Sequence, residues 1–146
     1  MSQALGRSRG GYGTKVVAAC DAAGRALAFL LAPGQASEVR LAPALLESLC
    51  ALGPLGRVVC DRGYSSQPWR LAIQAVGAEA CVPGQPTHPR APRHDASAYA
   101  RRHRIENLWA RLKESRAVAT RYDKTAASFE GGLLIAATLD LLSNRP

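Results

Sequence analysis

The sequence predicts an α/β fold in which a mixed sheet is flanked by helices. Short β-type runs alternate with helical patterns in the order ββαβαβαα, which is typical of layered α/β proteins. At 146 residues, 47% of them hydrophobic, the chain is about the size of one domain and can bury a core. It contains no apolar run near the ~18 residues of a membrane helix, so a soluble globular protein without a membrane partner is expected.

The N-terminal third predicts a hairpin followed by a helix. The β-type runs TKVVAAC (14–20) and ALAFLLA (26–32) are joined by DAAG, whose Asp and Gly suit a tight turn. The next pattern, PALLESLCAL (43–52), predicts a helix that ends at the following Gly-Pro.

The middle of the chain predicts two short strands around a second helix. RVVCD (57–61) is a short apolar strand that closes on an acid, and the turn RGYSS follows it. A helix is expected over 68–76, where Pro68 suits the first turn. AEACVP (78–83) predicts another short strand.

The C-terminal part predicts a loop and two helices. Residues 84–97 contain three prolines and few apolar residues, so they are expected to form a loop or linker within the domain. Helices are predicted over about 97–117 and 125–142.

Charge and cysteine usage narrow the class of protein. A net charge of +8 and a pI near 9.9 favour a polyanionic partner, most commonly nucleic acid, although biased codon usage could supply part of the arginine. The four cysteines form no C-x-x-C pair, so buried reduced thiols are favoured over zinc ligands. The N-terminus lacks a signal-peptide pattern, which predicts a cytoplasmic protein.

The predicted helix over 97–117 places one acid among cations. With about 100° per residue, four polar side chains fall within a roughly 60° arc, beside an apolar stripe that would face the core. The four are Tyr99, Arg102, Glu106 and Lys113. Alternatively, Arg102 and Glu106 form an ordinary i,i+4 pair on a solvated face.

A second acid, Asp61, follows a predicted strand. Ligands of open α/β sheets usually bind at the carboxyl ends of strands, and two carboxylates on separate elements can hold divalent ions for phosphoryl transfer. The alternative is that Asp61 caps the following turn, as acids after strands often do.

These residues resemble the bacterial DDE-type insertion-sequence transposases, which have a ribonuclease H-like fold, and most closely insertion-sequence family five. The spacing of Tyr99, Arg102, Glu106 and Lys113 is similar to the signature around that family's catalytic glutamate. CDRGYSS resembles the segment around its second catalytic aspartate, which corresponds to Asp61. ALGRSRGGYGTKVVAACDAAGRAL and VATRYDKTAASFEGGLLIAATL extend the likeness over nearly the whole chain.

The resemblance has one serious departure. The family's first catalytic aspartate lies on a strand upstream of ALGRSRGG, and the chain starts at that segment. Residues 1–146 are therefore expected to be a single, partial ribonuclease H-like catalytic domain with its first strand missing. Such a chain would be a second reading frame joined by frameshifting, or a remnant. Asp21, in the predicted hairpin turn, is the candidate substitute acid, and Val17 stands where relatives often carry histidine.

The resemblance implies DNA transposition by metal-dependent end cleavage and strand transfer. Asp61 and Glu106 would be catalytic and would bind Mg²⁺ or Mn²⁺ in a two-metal site left incomplete, so that the isolated chain is expected to be inactive. The expected DNA-binding residues are Tyr99, Arg102, Lys113, Arg116 and Arg121. Expected partners are element-end and target DNA, an upstream-frame transposase segment and a second copy of the chain, in the bacterial cytoplasm at the nucleoid. The alternatives are a non-catalytic basic DNA-binding module and a ribonuclease H-like nuclease of another kind.

Overall fold

The computed structural model describes residues 3–8, 11–84 and 94–143. They fall into two compact units, one made of Met1–Ser37 together with Arg104–Pro146 and the other of Glu38–His103. We call them the discontinuous unit and the central unit. Strands and helices occur in both, so the predicted α/β class is confirmed, whereas the prediction of a single domain stays a prediction.

The discontinuous unit begins with an antiparallel sheet. Its strands are β1 (Gly6–Ser8), β2 (Gly11–Cys20) and β3 (Ala26–Pro33), in that spatial order. The predicted β2–β3 hairpin is confirmed, and its turn closes with a bond of 3.0 Å from the Gly24 amide to the Asp21 carbonyl. Gly24 has a φ of 81°, which suits glycine. The short strand β1 was not predicted.

Three helices complete this unit: α4 (His103–Leu112), α5 (Arg116–Ala119) and α6 (Ala126–Leu142). Their apolar side chains meet one face of the β2–β3 hairpin, because alternate strand residues point to the same side. The buried members of the cluster are Leu108, Leu112, Val118 and Leu133.

The predicted helix 125–142 is confirmed as α6. The Thr125 side chain caps it by accepting a bond of 3.1 Å from the Ser128 amide. Phe129 and Leu133 are buried, but apolar residues continue around most of the helix. A row of these is exposed: Leu134, Ile135, Leu139, Leu141 and Leu142.

The central unit alternates helices with two short strands. Its elements are α1 (Glu38–Cys50), β4 (Arg57–Val59), a 3₁₀ turn (Arg62–Tyr64), α2 (Gln67–Ala75), β5 (Glu79–Cys81) and α3 (Ala96–Ala100). β4 and β5 pair in parallel, with Val59 opposite Cys81. The core contains Ala42, Leu46, Trp69, Ile73, Ala78 and Val82.

The sequence predicts one mixed sheet, which would combine antiparallel and parallel strand pairs. Both kinds of pairing are present, but in the described residues they occur in two separate sheets. The predicted start of the first helix at residue 43 is wrong, because α1 begins at Glu38 and contains Pro43. Pro43 lacks an N–H, so it leaves one helical bond unmade without ending the helix.

The predicted loop over 84–97 lies largely outside the described residues, since 85–93 are not described. Its last two residues, Ala96 and Ser97, belong to α3, which Asp95 caps by accepting bonds of 2.9 and 3.0 Å from the amides of Ser97 and Ala98.

The predicted continuous helix over 97–117 is wrong. The amide of Arg101 bonds to the Ala98 carbonyl at 3.1 Å and that of Arg102 to the Tyr99 carbonyl at 2.9 Å. These are i→i−3 bonds, which tighten the chain into a turn between α3 and α4. A second break follows α4, where Ser115 adopts an extended conformation before α5.

Candidate functional site

Asp61 lies one residue beyond the last backbone bond between the parallel strands. The Cys60 amide donates to the Cys81 carbonyl at 3.1 Å, and the chain then turns. The Asp61 side chain is exposed and accepts a bond of 2.5 Å from the Gly63 amide, capping the 3₁₀ turn. Asp61 therefore caps the following turn, as the alternative to a metal-binding role predicts. A Cβ on Gly63 would lie 3.0 Å from the Asp61 Oδ1, which favours glycine there.

Two of the side chains near Asp61 in sequence, Cys60 and Tyr64, are uncharged at neutral pH, whereas Arg62 beside it is a cation. Burial raises the pKa of the Cys60 thiol to about 11, against a weaker opposing effect of Trp69. Burial, with the charge of Glu38 as the next cause, raises the pKa of the Tyr64 hydroxyl. Asp61 thus lies in sequence between the neutral, partly buried Cys60 thiol and the cation of Arg62, near the neutral Tyr64 hydroxyl.

Glu106 is exposed in the first turn of α4. A carboxylate there interacts favourably with the positive end of the helix dipole. The helix is fixed beneath it by Leu108 and Leu112, which are fully buried in the discontinuous unit. The acid is consequently held on a rigid element while its side chain reaches solvent.

Tyr99 lies on α3, before the helix break, and Arg102 lies in the break itself. The Arg102 guanidinium is 6.0 Å from the centre of the Tyr99 ring, and the His94 ring meets Tyr99 edge-on at 5.1 Å. The structure therefore brings Tyr99 and Arg102 together. The predicted 60° arc is wrong because Tyr99 lies on α3, Arg102 in the turn and Glu106 on α4.

The predicted basic residues differ in their surroundings. Lys113 and Arg116 are exposed after α4 and at the start of α5. Arg121 is only partly exposed, since it donates to the Thr14 hydroxyl and, at 3.1 Å, to the Asp123 carbonyl. Its guanidinium also lies 5.4 Å from the centre of the Phe129 ring.

The predicted site residues are divided between the two units. Asp61, Tyr99 and Arg102 belong to the central unit, and Glu106 belongs to the discontinuous unit with the three other cations. The expected approach of the Asp61 and Glu106 carboxylates to within roughly 4–8 Å, the reach of a shared metal pair, stays a prediction.

The Asp21 side chain makes its hydrogen bonds within the hairpin turn. It accepts bonds from the amides of Ala23 (2.9 Å) and Arg25 (3.0 Å), and its Oδ2 pairs with the Arg25 guanidinium at 2.5 Å. Partial burial alone would raise the pKa of the carboxyl, but the bonds from Arg25 and Ala23 outweigh it and lower the pKa below its usual range.

An ion pair between Arg111 and Asp140 was not predicted. Arg111 donates two bonds to the carboxylate, at 2.7 and 3.1 Å, and a third of 2.8 Å to the Gly24 carbonyl. The partners are 29 residues apart, so no local pattern signals the contact. It joins α4, α6 and the hairpin turn.

Across residues 3–8, 11–84 and 94–143, no group of three or more His, Cys, Asp or Glu side chains is placed to hold a metal ion. Over the same ranges, no helix combines the length and apolar character needed to cross a membrane.

Comparison with known proteins gave two matches. Residues 58–143 match the sequence profile of a family described as a transposase DDE domain. The chain is also 32% identical, over 127 residues, to a protein of Brucella ovis named as a candidate transposase for the insertion sequence element IS6501. That alignment covers 86% of this chain and 95% of the relative. No solved structure matched the chain.

Proposed function

The chain belongs to the transposase DDE domain family, whose function is DNA transposition, and on that premise we propose that Asp61 and Glu106 are metal-binding acids for DNA cleavage and strand transfer. The observation that carries this assignment is that the family match spans both residues. Asp61 follows the parallel strand β4, and Glu106 is held on α4. The proposed fold of the complete catalytic domain is ribonuclease H-like.

The donor set suits a hard divalent cation. Both side chains are exposed carboxylates, and Mg²⁺ prefers oxygen ligands. The neighbouring Cys60 thiol stays protonated at neutral pH, so it does not offer a competing soft ligand. When bound, the ions would polarise the phosphate and activate the attacking oxygen. The acids themselves would fix the positions of those ions.

A DDE site uses three acids, and two are assigned in this sequence. Asp21 is a poor third ligand, because Ala23 and Arg25 already occupy its carboxylate at the hairpin turn. We therefore expect the isolated chain to bind DNA without cutting it in Mg²⁺ or Mn²⁺. Strand transfer by the isolated chain would show that another acid completes the site.

The basic surface supports contact with DNA phosphates. Lys113 and Arg116 are exposed within the discontinuous unit, and exposed cations can approach phosphates without losing internal bonds. Tyr99 with Arg102 would form a second contact near the cut strand. Arg121 has internal partners, so its part in DNA binding is expected to be indirect.

Metal binding tests the assignment of the acids. Asp61→Asn retains an oxygen that can cap the 3₁₀ turn but removes the charge, and Glu106→Gln changes the charge alone. Each is expected to lower Mn²⁺ affinity at least about tenfold in titrations followed by electron paramagnetic resonance. The controls are Glu47→Gln and Glu130→Gln, exposed acids on α1 and α6. Unchanged Mn²⁺ affinity in both site variants would contradict the assignment.

A second candidate function is a non-catalytic DNA-binding module, favoured by the turn-capping bond that Asp61 makes. The Asp61→Asn and Glu106→Gln variants distinguish the two candidate functions. Intact DNA binding together with unaltered Mn²⁺ affinity in the acid variants would support the module and exclude the metal site.

DNA binding is tested by its dependence on salt. Arg116→Ala and Lys113→Ala should each weaken binding to duplexes of any sequence and reduce the slope of log K against log salt by about 1. Arg40→Ala is the matched control, since Arg40 is an exposed cation on α1. If Arg40→Ala had the same effect, the charge of the chain rather than this surface would account for binding.

A further inference from the structure

Two tyrosines of the discontinuous unit project into solvent. Tyr12 on β2 is 81% exposed, and Tyr122, in the segment between α5 and α6, is 72% exposed. Single exposed aromatic residues are common, but two such rings on segments joined by a hydrogen bond suggest a binding surface. Neither residue belongs to the site proposed above.

A single hydrogen bond brings the two tyrosines into one neighbourhood. Arg121 donates to the Thr14 hydroxyl, and so ties the residue before Tyr122 to strand β2. Tyr12 lies two residues from Thr14 on the same face of that strand, a separation of about 7 Å. Both rings are therefore within two residues of the bond between Thr14 and Arg121.

The bonds around Arg121 hold this arrangement in place. The Thr14 hydroxyl donates a hydrogen bond of 2.7 Å to the Ala4 carbonyl, so its oxygen is oriented to accept from Arg121. The Arg121 Nε bonds to the Asp123 carbonyl at 3.1 Å, which fixes the backbone on the far side of Tyr122. Arg121 is thus a positioning residue, and its contacts explain why it is mostly withdrawn from solvent.

Cations accompany the rings. Arg7 on β1 is exposed and directly opposite Tyr12 in the antiparallel register. Lys124 is exposed two residues beyond Tyr122. One acid, Asp123, lies between Tyr122 and Lys124, and its backbone carbonyl accepts a hydrogen bond from Arg121. Aromatic rings interleaved with cations are the combination that binds single-stranded nucleic acid, with rings stacking on bases and cations meeting phosphates.

We propose that Arg7, Tyr12, Tyr122 and Lys124 form a surface that binds unpaired DNA, with Tyr12 and Tyr122 stacking on bases. We call these four residues the tyrosine surface. The proposal rests on the DNA-binding function proposed above and adds the class of DNA that this surface takes. Duplex DNA hides its base faces, so the rings contribute only where the strands are separated.

The test compares a fluorescein-labelled 20-nucleotide oligothymidine with a duplex of the same length, using the full chain. Tyr12→Ala and Tyr122→Ala should each weaken binding to the single strand about tenfold and change duplex binding less than about twofold. Tyr12→Phe and Tyr122→Phe should bind the single strand like the parent chain, because a phenyl ring still stacks. Leu139→Ala is the control for loss of exposed apolar surface in the same unit.

Arg121→Lys tests the positioning role. The variant keeps the charge but loses the planar fork that reaches Thr14 and Asp123 together. It should reduce the preference for single-stranded over duplex DNA while leaving the salt slope on the duplex unchanged. Because the charge is conserved, a phosphate contact made by Arg121 would survive in this variant, so a single-strand preference equal to that of the parent chain would overturn the positioning role.

The outcomes distinguish this proposal from the one on which it rests. Single-strand affinities within twofold of the parent for both alanine variants would overturn the tyrosine surface, while duplex binding through Lys113 and Arg116 could still hold. Failure of the phenylalanine variants would show that the hydroxyls rather than the rings bind, and would overturn stacking. Absence of binding to either DNA would overturn both proposals.

Discussion

Arg111 shows how one side chain can join three elements. Its guanidinium holds the Asp140 carboxylate with two bonds and the Gly24 carbonyl with a third, and both charged side chains are largely buried. Hydrogen bonding to Asp140 raises the pKa of Arg111 above its already high value, so the guanidinium stays charged throughout the ordinary pH range.

Arg111→Lys should therefore destabilise the fold although it conserves the charge. An ammonium cannot reproduce the planar set of three bonds, and we expect a loss of about 1.5–3 kcal/mol in the free energy of unfolding. Urea denaturation followed by circular dichroism measures it. Arg116→Lys, at an exposed position, is the control. Equal stability of the two variants would show that the pair contributes little.

Asp21 gives a prediction that depends on pH. Its pKa is lowered in the folded state, so its contribution is present above the unfolded pKa near 3.9 and is lost as pH falls through the folded value. Asp21→Asn keeps an acceptor for the two turn amides and removes the charge paired with Arg25. We expect a loss of about 0.2–1 kcal/mol at pH 7 that becomes smaller as the pH falls below about 3.9. Urea melts at pH 7 and at pH values below about 3.9 check this.

Short-range patterns predicted the elements that carry the candidate acids. Asp61 follows a short strand and Glu106 lies on a helix, as the sequence predicts, while their assignment as metal ligands stays a prediction. The hydrogen bond between Arg121 and Thr14 was not predicted, because the two residues are 107 positions apart and no local sequence pattern indicates that they meet. The same holds for the pair formed by Arg111 and Asp140.

At the scale of elements, the strands β2 to β5 and the helix α6 were predicted, because their residue patterns agree with the structure that surrounds them. The β2–β3 hairpin combines β-type runs with a turn of suitable chemistry, and Thr125 is a standard helix cap. The break at Arg101 and Arg102 was missed, because both residues favour helices and the break is made by i→i−3 bonds. α1 was placed late because Pro43 resembles a helix start.

The cap of α3 yields a prediction for a short helix. Bonds from the Ser97 hydroxyl and the Ala98 amide lower the pKa of Asp95 to about 2. The cap is therefore present above the unfolded pKa near 3.9 and is lost as pH falls through about 2. A carboxyl NMR titration should give that value, and Asp95→Ala should speed hydrogen exchange at the Ser97 and Ala98 amides. A titration midpoint near 3.9 would show that the cap is not formed in solution.

At the scale of the whole molecule, the division into two units predicts which residues lose protection from hydrogen exchange when a core residue is mutated. Leu133 is fully buried on α6 in the discontinuous unit, and Leu133→Ala is expected to cost about 2–5 kcal/mol. Hydrogen exchange should rise mainly over residues 11–33 and 104–142 and much less over 38–81. Ile73→Ala, equally buried in the central unit, should give the reverse pattern. Equal loss of protection everywhere would support the single domain that the sequence predicts.

The discontinuous unit also sets an order of events on the ribosome. Synthesis runs from the N-terminus, so the β2–β3 hairpin emerges long before the helices α4 and α6 that cover its apolar face. The central unit is contiguous and can condense while that face is still uncovered. The nascent hairpin must therefore wait for roughly a hundred further residues, an interval in which bare strand edges favour capture by chaperones or pairing with other nascent chains.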